Sequence, residues 1–342
     1  MQYSLCQARK ALLAQRLRAR GRRRRAISPR PNRAMRIPAE ILPITQWTSA
    51  RPDPTIRPMS KSLRLSRVRR AMESVGRGTT KMPQFCLQLA GLSVSVASQY
   101  SQVEHMCSGY EVPKGASSDI DVRIDPQDID AERDEGAWSD AYLETLAVYR
   151  QIAEALPAFD RMLVHGALLS FQGEGYLFAA PSGTGKSTHA LLWKRFLGDA
   201  VSIVNGDKPI VRLTGEGDVP VAYGTPWAGK EGWHENASVP LRAVCFLRQA
   251  PTNSIGLLDA SGCVGRLLRQ VYLPFDSRAA ARTLELSDRL VGCVPMYELA
   301  CDVSHDAVRC SFETLTGRRF SDWDISTSCL DASQACRGRS VT

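Results

Sequence analysis

The chain has 342 residues and a formal net charge of +9, and that charge belongs to one end. Residues 1–81 carry 21 Lys and Arg against 3 Asp and Glu, whereas residues 82–342 carry 23 against 32. The body is therefore mildly acidic, which excludes nucleic-acid binding as a reading of the whole chain from its net charge. No apolar run approaches the ~18–20 residues needed to cross a bilayer, so no membrane partner is expected.

The basic leader contains four consecutive arginines, Arg22 to Arg25, with scattered Pro and Ser and little periodicity. Three readings compete: an arm that touches phosphate backbones, an Arg- and Ser-rich transit peptide, or an extension with no evolved role and no stable structure. Composition changes sharply at Met82. The expected organisation is a disordered leader over 1–81, one α/β domain over 82–316 and a polar tail over 317–342. Ten cysteines are scattered without a Cys-x-x-Cys pair, which argues against a structural zinc site and for reduced thiols in a cytoplasmic protein.

From Met82 the pattern is that of a folded domain. Residues 85–90 and 92–97 alternate polar and apolar, with Gly91 between them, and read as an antiparallel pair; 119–124 reads as a third short strand. The acidic stretch 125–135 reads as a solvated connection. A helix then starts at Ser139 as N-cap, with Tyr142, Leu146, Tyr149, Ala153 and Leu156 on one face, and stops at Pro157. Residues 162–171 form a strand carrying His165, and a tight turn at 172–175 leads into the apolar run 176–180.

Residues 180–188 read Ala-Pro-Ser-Gly-Thr-Gly-Lys-Ser-Thr, and an amphipathic run follows over 189–197. Strand, glycine loop, Lys-Ser and helix is the layout of a phosphate cradle. Gly183 and Gly185 let backbone N–H groups turn inward, and the helix that opens there adds its positive end. Ser182, Gly183, Thr184, Gly185, Lys186, Ser187 and Thr188 are the expected nucleotide-binding residues. Lys186 places a point charge on the phosphates, and the Ser187 hydroxyl can ligate Mg²⁺. The usual first glycine of the pattern is Ala180 here, which a strand-like φ tolerates.

The strand 200–204 ends in Asn-Gly-Asp-Lys-Pro. Asp207 stands at the carboxyl end of a buried strand, where phosphoryl-transfer enzymes hold Mg²⁺; the same composition also suits a plain turn. His165, one strand away, is either a core histidine or part of the site. Strands are expected at 210–213, 219–223 and 241–247, helices at 262–270, 277–290 and 304–315, and a strand at 294–299. The loop 224–236 holds Trp227, Trp233, Lys230, His234 and Asn236. It reads equally as a flap over a substrate or as a connection anchored by its tryptophans.

Taken together, the His-Gly strand, the phosphate loop, the strand leading to Asp-Lys-Pro and the later Gly-Thr-Pro-Trp resemble the HPr serine kinase C-terminal domain group of the phosphoenolpyruvate carboxykinase-like P-loop superfamily. The resemblance spans 82–316, and within the group it is closer to small HPr-kinase-like proteins of anaerobic bacteria. It implies a mixed β-sheet with flanking helices and a carboxykinase- or HPr-kinase-type P-loop. It also implies ATP and Mg²⁺ as cofactors, with Lys186 on phosphate, Ser187 and Asp207 on metal, and His165, Asp207 and Lys186 as catalytic residues. The kinases place two adjacent aspartates after that strand, and here the first is Gly206. The expected function is thus phosphoryl transfer from Mg-ATP to a hydroxyl of a protein, peptide or small molecule. A nucleotide-binding accessory protein without turnover is the alternative, and nucleic-acid contact through the leader a third option. The oligomeric state is left open.

Overall fold

The computed structural model describes residues 84–113, 117–134, 136–215 and 217–325. The leader and residues 326–342 lie outside the described residues. Within them the chain builds a mixed α/β architecture from two sheets flanked by helices.

The smaller sheet comes first. Strands β1 (Gln84–Leu89) and β2 (Leu92–Ala97) pair antiparallel through a two-residue turn in which Ala90 and Gly91 both take positive φ. That is the turn geometry that matches the twist of the flanking strands. Helix α1 (Ser101–Met106) and strand β3 (Glu111–Val112) follow, and β4 (Ile120–Arg123) joins β2 in parallel, giving the order β3-β1-β2-β4. Where a solvated connection was expected, α2 (Pro126–Ala131) forms. Proline suits a first helical turn, the Asp128 carboxylate accepts from the Asp125 N–H, and Arg150 ties Asp128 and Glu132 to the next helix.

That next helix, α3 (Asp140–Ala155), has the expected cap: Ser139 Oγ accepts from Tyr142 N–H. Its buried face keeps Ala153 and Leu156 of the expected one, with Leu146 and Tyr149 half-buried against the core, and is shifted round the helix. Leu143, Ala147, Val148 and Ile152 are buried, while Tyr142 is exposed. The sheet it covers presents Leu87, Val94, Val96 and Val122, and these branched side chains pack against the aliphatic residues of the helix.

The second sheet carries the site. The expected strand 162–171 is two strands, β5 (Arg161–Leu163) and β6 (Gly166–Phe171). At the break Val164 bridges Val271 and His165 N–H donates to Gln270 O at 2.7 Å, so the backbone leaves one partner before meeting the next. β6 forms a hairpin with β7 (Glu174–Ala179) through Gln172 and Gly173, both at positive φ. Helix α4 (Lys186–Leu197) leads to β8 (Val201–Asn205), β9 (Ile210–Arg212), β10 (Val221–Tyr223) and the long β11 (Ser238–Gln249). Then come β12 (Ser254–Leu257), α5 (Ala260–Leu268), α6 (Ser277–Cys293), β13 (Met296–Cys301) and α7 (His305–Thr316).

The strand order is β5-β9-β10-β11-β7-β6-β8, with β13 parallel to β11 and β12 beyond it. β7 alternates across the sheet. Leu177 and Ala179 face Leu267, Leu286 and Leu290 of α5 and α6; Tyr176 and Phe178 face Trp193 and Phe312 of α4 and α7. This two-sided burial explains the unbroken apolar run before the loop. Residues 317–325, expected as the start of a polar tail, pack on the same layer. Phe320 is buried and the Trp323 ring meets Phe171 edge-on at 4.8 Å.

Candidate functional site

The loop expected to cradle phosphate joins β7 to α4. Gly183 (φ +81°) and Gly185 (φ +106°) occupy the left-handed region, and a Cβ at either would meet nothing within 4 Å. Their glycines are thus required by backbone conformation and not by crowding. Ala180 has negative φ and is buried, so alanine costs little there. Ser182, Gly183 and Thr188 are exposed, Thr184, Gly185 and Ser187 half-buried.

Lys186 is the exception in this loop, only 7 % exposed. Its Nζ donates to Ala180 O at 2.8 Å and Pro181 O at 3.2 Å, spanning the inside of the turn. Burial pushes its pKa down to about 8; Asp207 opposes that shift and Lys208 adds to it. Lys186 therefore lies within electrostatic reach of Asp207, although 21 residues separate them.

Asp207 is held by a buried framework that sequence reasoning missed. Asn205 Oδ1 accepts from the N–H groups of Asp207 (2.9 Å) and Lys208 (2.6 Å), the turn an Asx side chain makes with backbone two residues on. Asn205 Nδ2 donates to Thr225 O, and Thr225 Oγ1 donates to Lys208 O. Asp207 O accepts from Gly166 N–H at 2.9 Å, which fixes His165 beside it. The Asn-Gly-Asp-Lys composition signalled the turn; the reach to Thr225 had no local signal.

The carboxylate is engaged on both oxygens: Oδ1 lies 3.2 Å from His165 Nε2 and Oδ2 3.2 Å from Lys208 Nζ. Burial alone would raise its pKa, but the His165 hydrogen bond and the Lys208 charge outweigh it and hold the group at about 2. His165 Nδ1 lies 3.2 Å from Gln270 Oε1. A proton on this ring thus has two oxygen acceptors waiting, while burial, the dominant influence, pushes its pKa below the usual histidine value. Lys208 and Gln270 are the further site residues; in the sequence Lys208 stands in the Asp-Lys-Pro segment without a role, and Gln270 is only the end of an expected helix.

The loop 224–236 closes against this group. Gly224 admits no side chain, since a Cβ would lie 1.9 Å from Glu235 O and 2.7 Å from Val204 O. Gly229, at φ +72°, lies against Asp207, and a Cβ there would stand 3.0 Å from the Asp207 Cβ. Trp227 is buried, its Nε1 donating to Thr145 O at 3.2 Å, so at this end the loop is an anchored connection, whereas Lys230 and Glu231 are exposed. On the other side of the phosphate loop a cleft of about 560 Å³ opens, lined by Gly185, Thr188, Leu192, Leu247, Gln249 and Asp302. It lies outside the carboxyl ends of the parallel strands β7, β11 and β13, the usual ligand position of such sheets.

A model of the family described as SynChlorMet cassette protein ScmC matches residues 137–307. The chain belongs to that family. The match runs from the start of α3 into α7 and includes the phosphate loop, His165, Asp207 and the Trp227 loop. Among solved structures, the HPr(Ser) kinase/phosphatase from Coxiella burnetii aligns at 14 % identity and a TM-score of 0.27, covering 51 % of this chain and 96 % of that one. No curated protein matches the chain.

Among the described residues no cluster of three or more His, Cys, Asp or Glu could hold a metal ion by itself. The Ser187 hydroxyl and the Asp207 carboxylate are hard oxygen donors, the kind suited to a small dication that keeps most of its shell as water and phosphate oxygens. Their chemistry fits Mg²⁺, with His165 and Lys208 each engaging one of the two Asp207 oxygens. No helix of the described residues is long and apolar enough to cross a membrane.

Proposed function

We propose that this chain binds ATP with Mg²⁺ at residues 182–188 and transfers the terminal phosphoryl group to a hydroxyl of a protein, peptide or small molecule. The observation that carries the reading is the grouping of a glycine loop, a buried lysine and a His–Asp pair at the ends of the neighbouring strands β6, β7 and β8. Lys186 would leave the carbonyls of Ala180 and Pro181 for phosphate oxygens, a stronger partner for a cation. The cleft beside Leu192 and Leu247 offers an apolar seat for the base.

In the transfer, the acceptor oxygen forms a bond to phosphorus as the bond to the ADP oxygen breaks. The acceptor's proton goes to the Asp207–His165 pair. Asp207 is ionised throughout the physiological range, and His165 is available as a neutral ring. Bound Mg²⁺ would neutralise charge on the phosphates. ATP-dependent thermal stabilisation, with and without Mg²⁺, tests binding; release of ADP in the presence of candidate acceptors tests transfer. Stabilisation of the Lys186→Ala chain equal to that of wild type sinks the assignment.

A second reading has its own support. Gly206 stands where a second carboxylate is expected, and Lys208 already neutralises Asp207. On that reading the chain is a nucleotide-binding accessory protein, recognised by Mg-ATP binding without turnover.

A further inference from the structure

At the far end of β5 and β9 lies a second concentration of positive charge that the P-loop reading does not use. Arg161 and Arg212 are directly opposed on this antiparallel pair. Like charges so placed destabilise a sheet. Arg161 is only 8 % exposed, and Arg212 is half-buried with its Nε shielded from solvent and without a hydrogen-bond partner. Neither forms an ion pair among the described residues. The nearby carboxylates make their close contacts elsewhere: Asp119 Oδ2 accepts from Ser93 N–H at 2.8 Å, Asp160 is the partner of Arg282, and Asp218 Oδ2 accepts from Thr214 Oγ1 and Gly215 N–H, so they act on the two arginines only at longer range.

The two guanidinium groups converge on one point. A side chain at Gly91 would place its Cβ 3.3 Å from Arg161 Nη2 and 3.8 Å from Arg212 Nη1, with nothing else within 4 Å. Arg161 is fixed there by its Nε donating to Ala90 O at 2.8 Å and its Nη1 donating to Phe159 O at 2.5 Å. The Arg212 guanidinium lies over the Tyr223 ring at 5.5 Å. Two planar donors thus point at one spot beside a turn, with a charge of +2 that Asp119, Asp160 and Asp218 offset from a distance and that no carboxylate among the described residues pairs directly.

We infer that Arg161 and Arg212 form an anion site at the Ala90–Gly91 turn, taking a dianionic phosphoryl group from a ligand other than the nucleotide in the P-loop. Two guanidiniums match such a group in charge and in paired donor geometry. The inference stands whether or not the P-loop binds ATP.

The probe is inorganic phosphate, titrated against the full-length chain at constant ionic strength, with melting temperature as readout. Because the P-loop can also take phosphate, the titration is repeated in Lys186→Ala. That chain should still gain roughly 5–10 °C once phosphate stands about 100-fold above its Kd. Arg212→Ala, made in the same background, should melt at or above its parent without phosphate and gain nothing from it. Gly91→Asp puts a carboxylate between the arginines. Compared with Gly91→Asn, which tolerates the same positive φ, it should melt higher and be insensitive to phosphate. Loss of the whole response in Lys186→Ala, an equal response to acetate, or a phosphate response that survives in Arg212→Ala or Gly91→Asp overturns the site. So does an Arg212→Ala chain that is destabilised equally with and without phosphate, since Arg212 is then structural.

Discussion

Replacing Lys186 with methionine should leave the fold as stable as before or more stable, while abolishing nucleotide binding. Burial moves the lysine pKa from 10.5 to about 8, and at 1.36 kcal/mol per unit the buried charge costs about 3 kcal/mol at neutral pH. Methionine fills a similar unbranched volume without the charge. Against that gain stand the donors lost by Ala180 O and Pro181 O. Hydrogen bonds to a charged group contribute about 1.5–3 kcal/mol each when buried, but Pro181 is exposed and its carbonyl can turn to water. The net change is zero to about 2 kcal/mol of stabilisation, which for a domain this size is a melting temperature unchanged or up to ~8 °C higher. The sign also predicts a pH dependence. Between pH 8 and 10.5 the native lysine has released its proton while the unfolded one still holds it, so wild-type stability rises with pH and the advantage of the variant shrinks. Urea unfolding of both chains at pH 7, 9 and 10.5 measures the difference, in which other titrating groups cancel. A variant weaker by 2 kcal/mol or more at pH 7, by the same amount at every pH, would show that Lys186 is a structural fastener and refute the argument.

Other outcomes follow from the same geometry. Asp207→Asn should reduce the Mg²⁺ enhancement of ATP binding, read by calorimetry with and without the ion, while Asn keeps the Asx turn intact. Asp207 at about 2 against an ordinary 3.8 contributes about 2 kcal/mol that is present above pH 4 and lost as pH falls toward 2, so wild type should lose its advantage over Asp207→Asn in acid melts. At buried Gly206 φ is negative and a Cβ would lie 3.1 Å from Ala228 O, so Gly206→Asp requires that carbonyl to shift; if phosphoryl transfer lacks only a second acid, ATP turnover should rise. Gly224→Ala should cost about 3 kcal/mol or more in urea melts, because its Cβ cannot coexist with Glu235 O. A chain starting at Met82 should melt within a degree or two of the full chain; a larger loss would show that the leader packs on the domain.

Much of the architecture was legible because local chemistry and tertiary context agree. Ala90–Gly91 and Gln172–Gly173 turn where the composition says they must, and Ser139 caps the helix it precedes. The misreadings arose where tertiary contacts decide. How far the buried face of α3 is turned depends on the aliphatic surface of a sheet built from β1, β2 and β4, and of the expected stripe Tyr142 is the residue left exposed. The break at Val164–His165 reads as continuous strand because both halves are apolar. It is imposed by Gln270 and Val271, about a hundred residues later.

The site divides along the same line. Gly183, Gly185, Lys186 and Ser187 are contiguous, so their arrangement is written in their spacing. The meeting of Lys186, Asp207 and His165 depends on the register of β6 against β7 and β8, which places Gly166 opposite Ala179 and its N–H on Asp207 O. That register also changes how the lone acid is understood. Sequence sets Asp207 against a missing aspartate at 206. The structure sets it against His165 on one oxygen and Lys208 on the other. A neutral imidazole hydrogen-bonded to a carboxylate can accept a proton that a single strongly acidic carboxylate cannot hold. The absence of a second aspartate therefore does not remove the means of proton transfer. On the proposed function it moves the decision to whether Lys208 would yield its oxygen to a bound metal, and Lys208→Met separates the cases. If Lys208 blocks the metal, the variant should bind Mg-ATP more tightly than wild type. If Lys208 itself contacts phosphate, binding should weaken with and without Mg²⁺ alike.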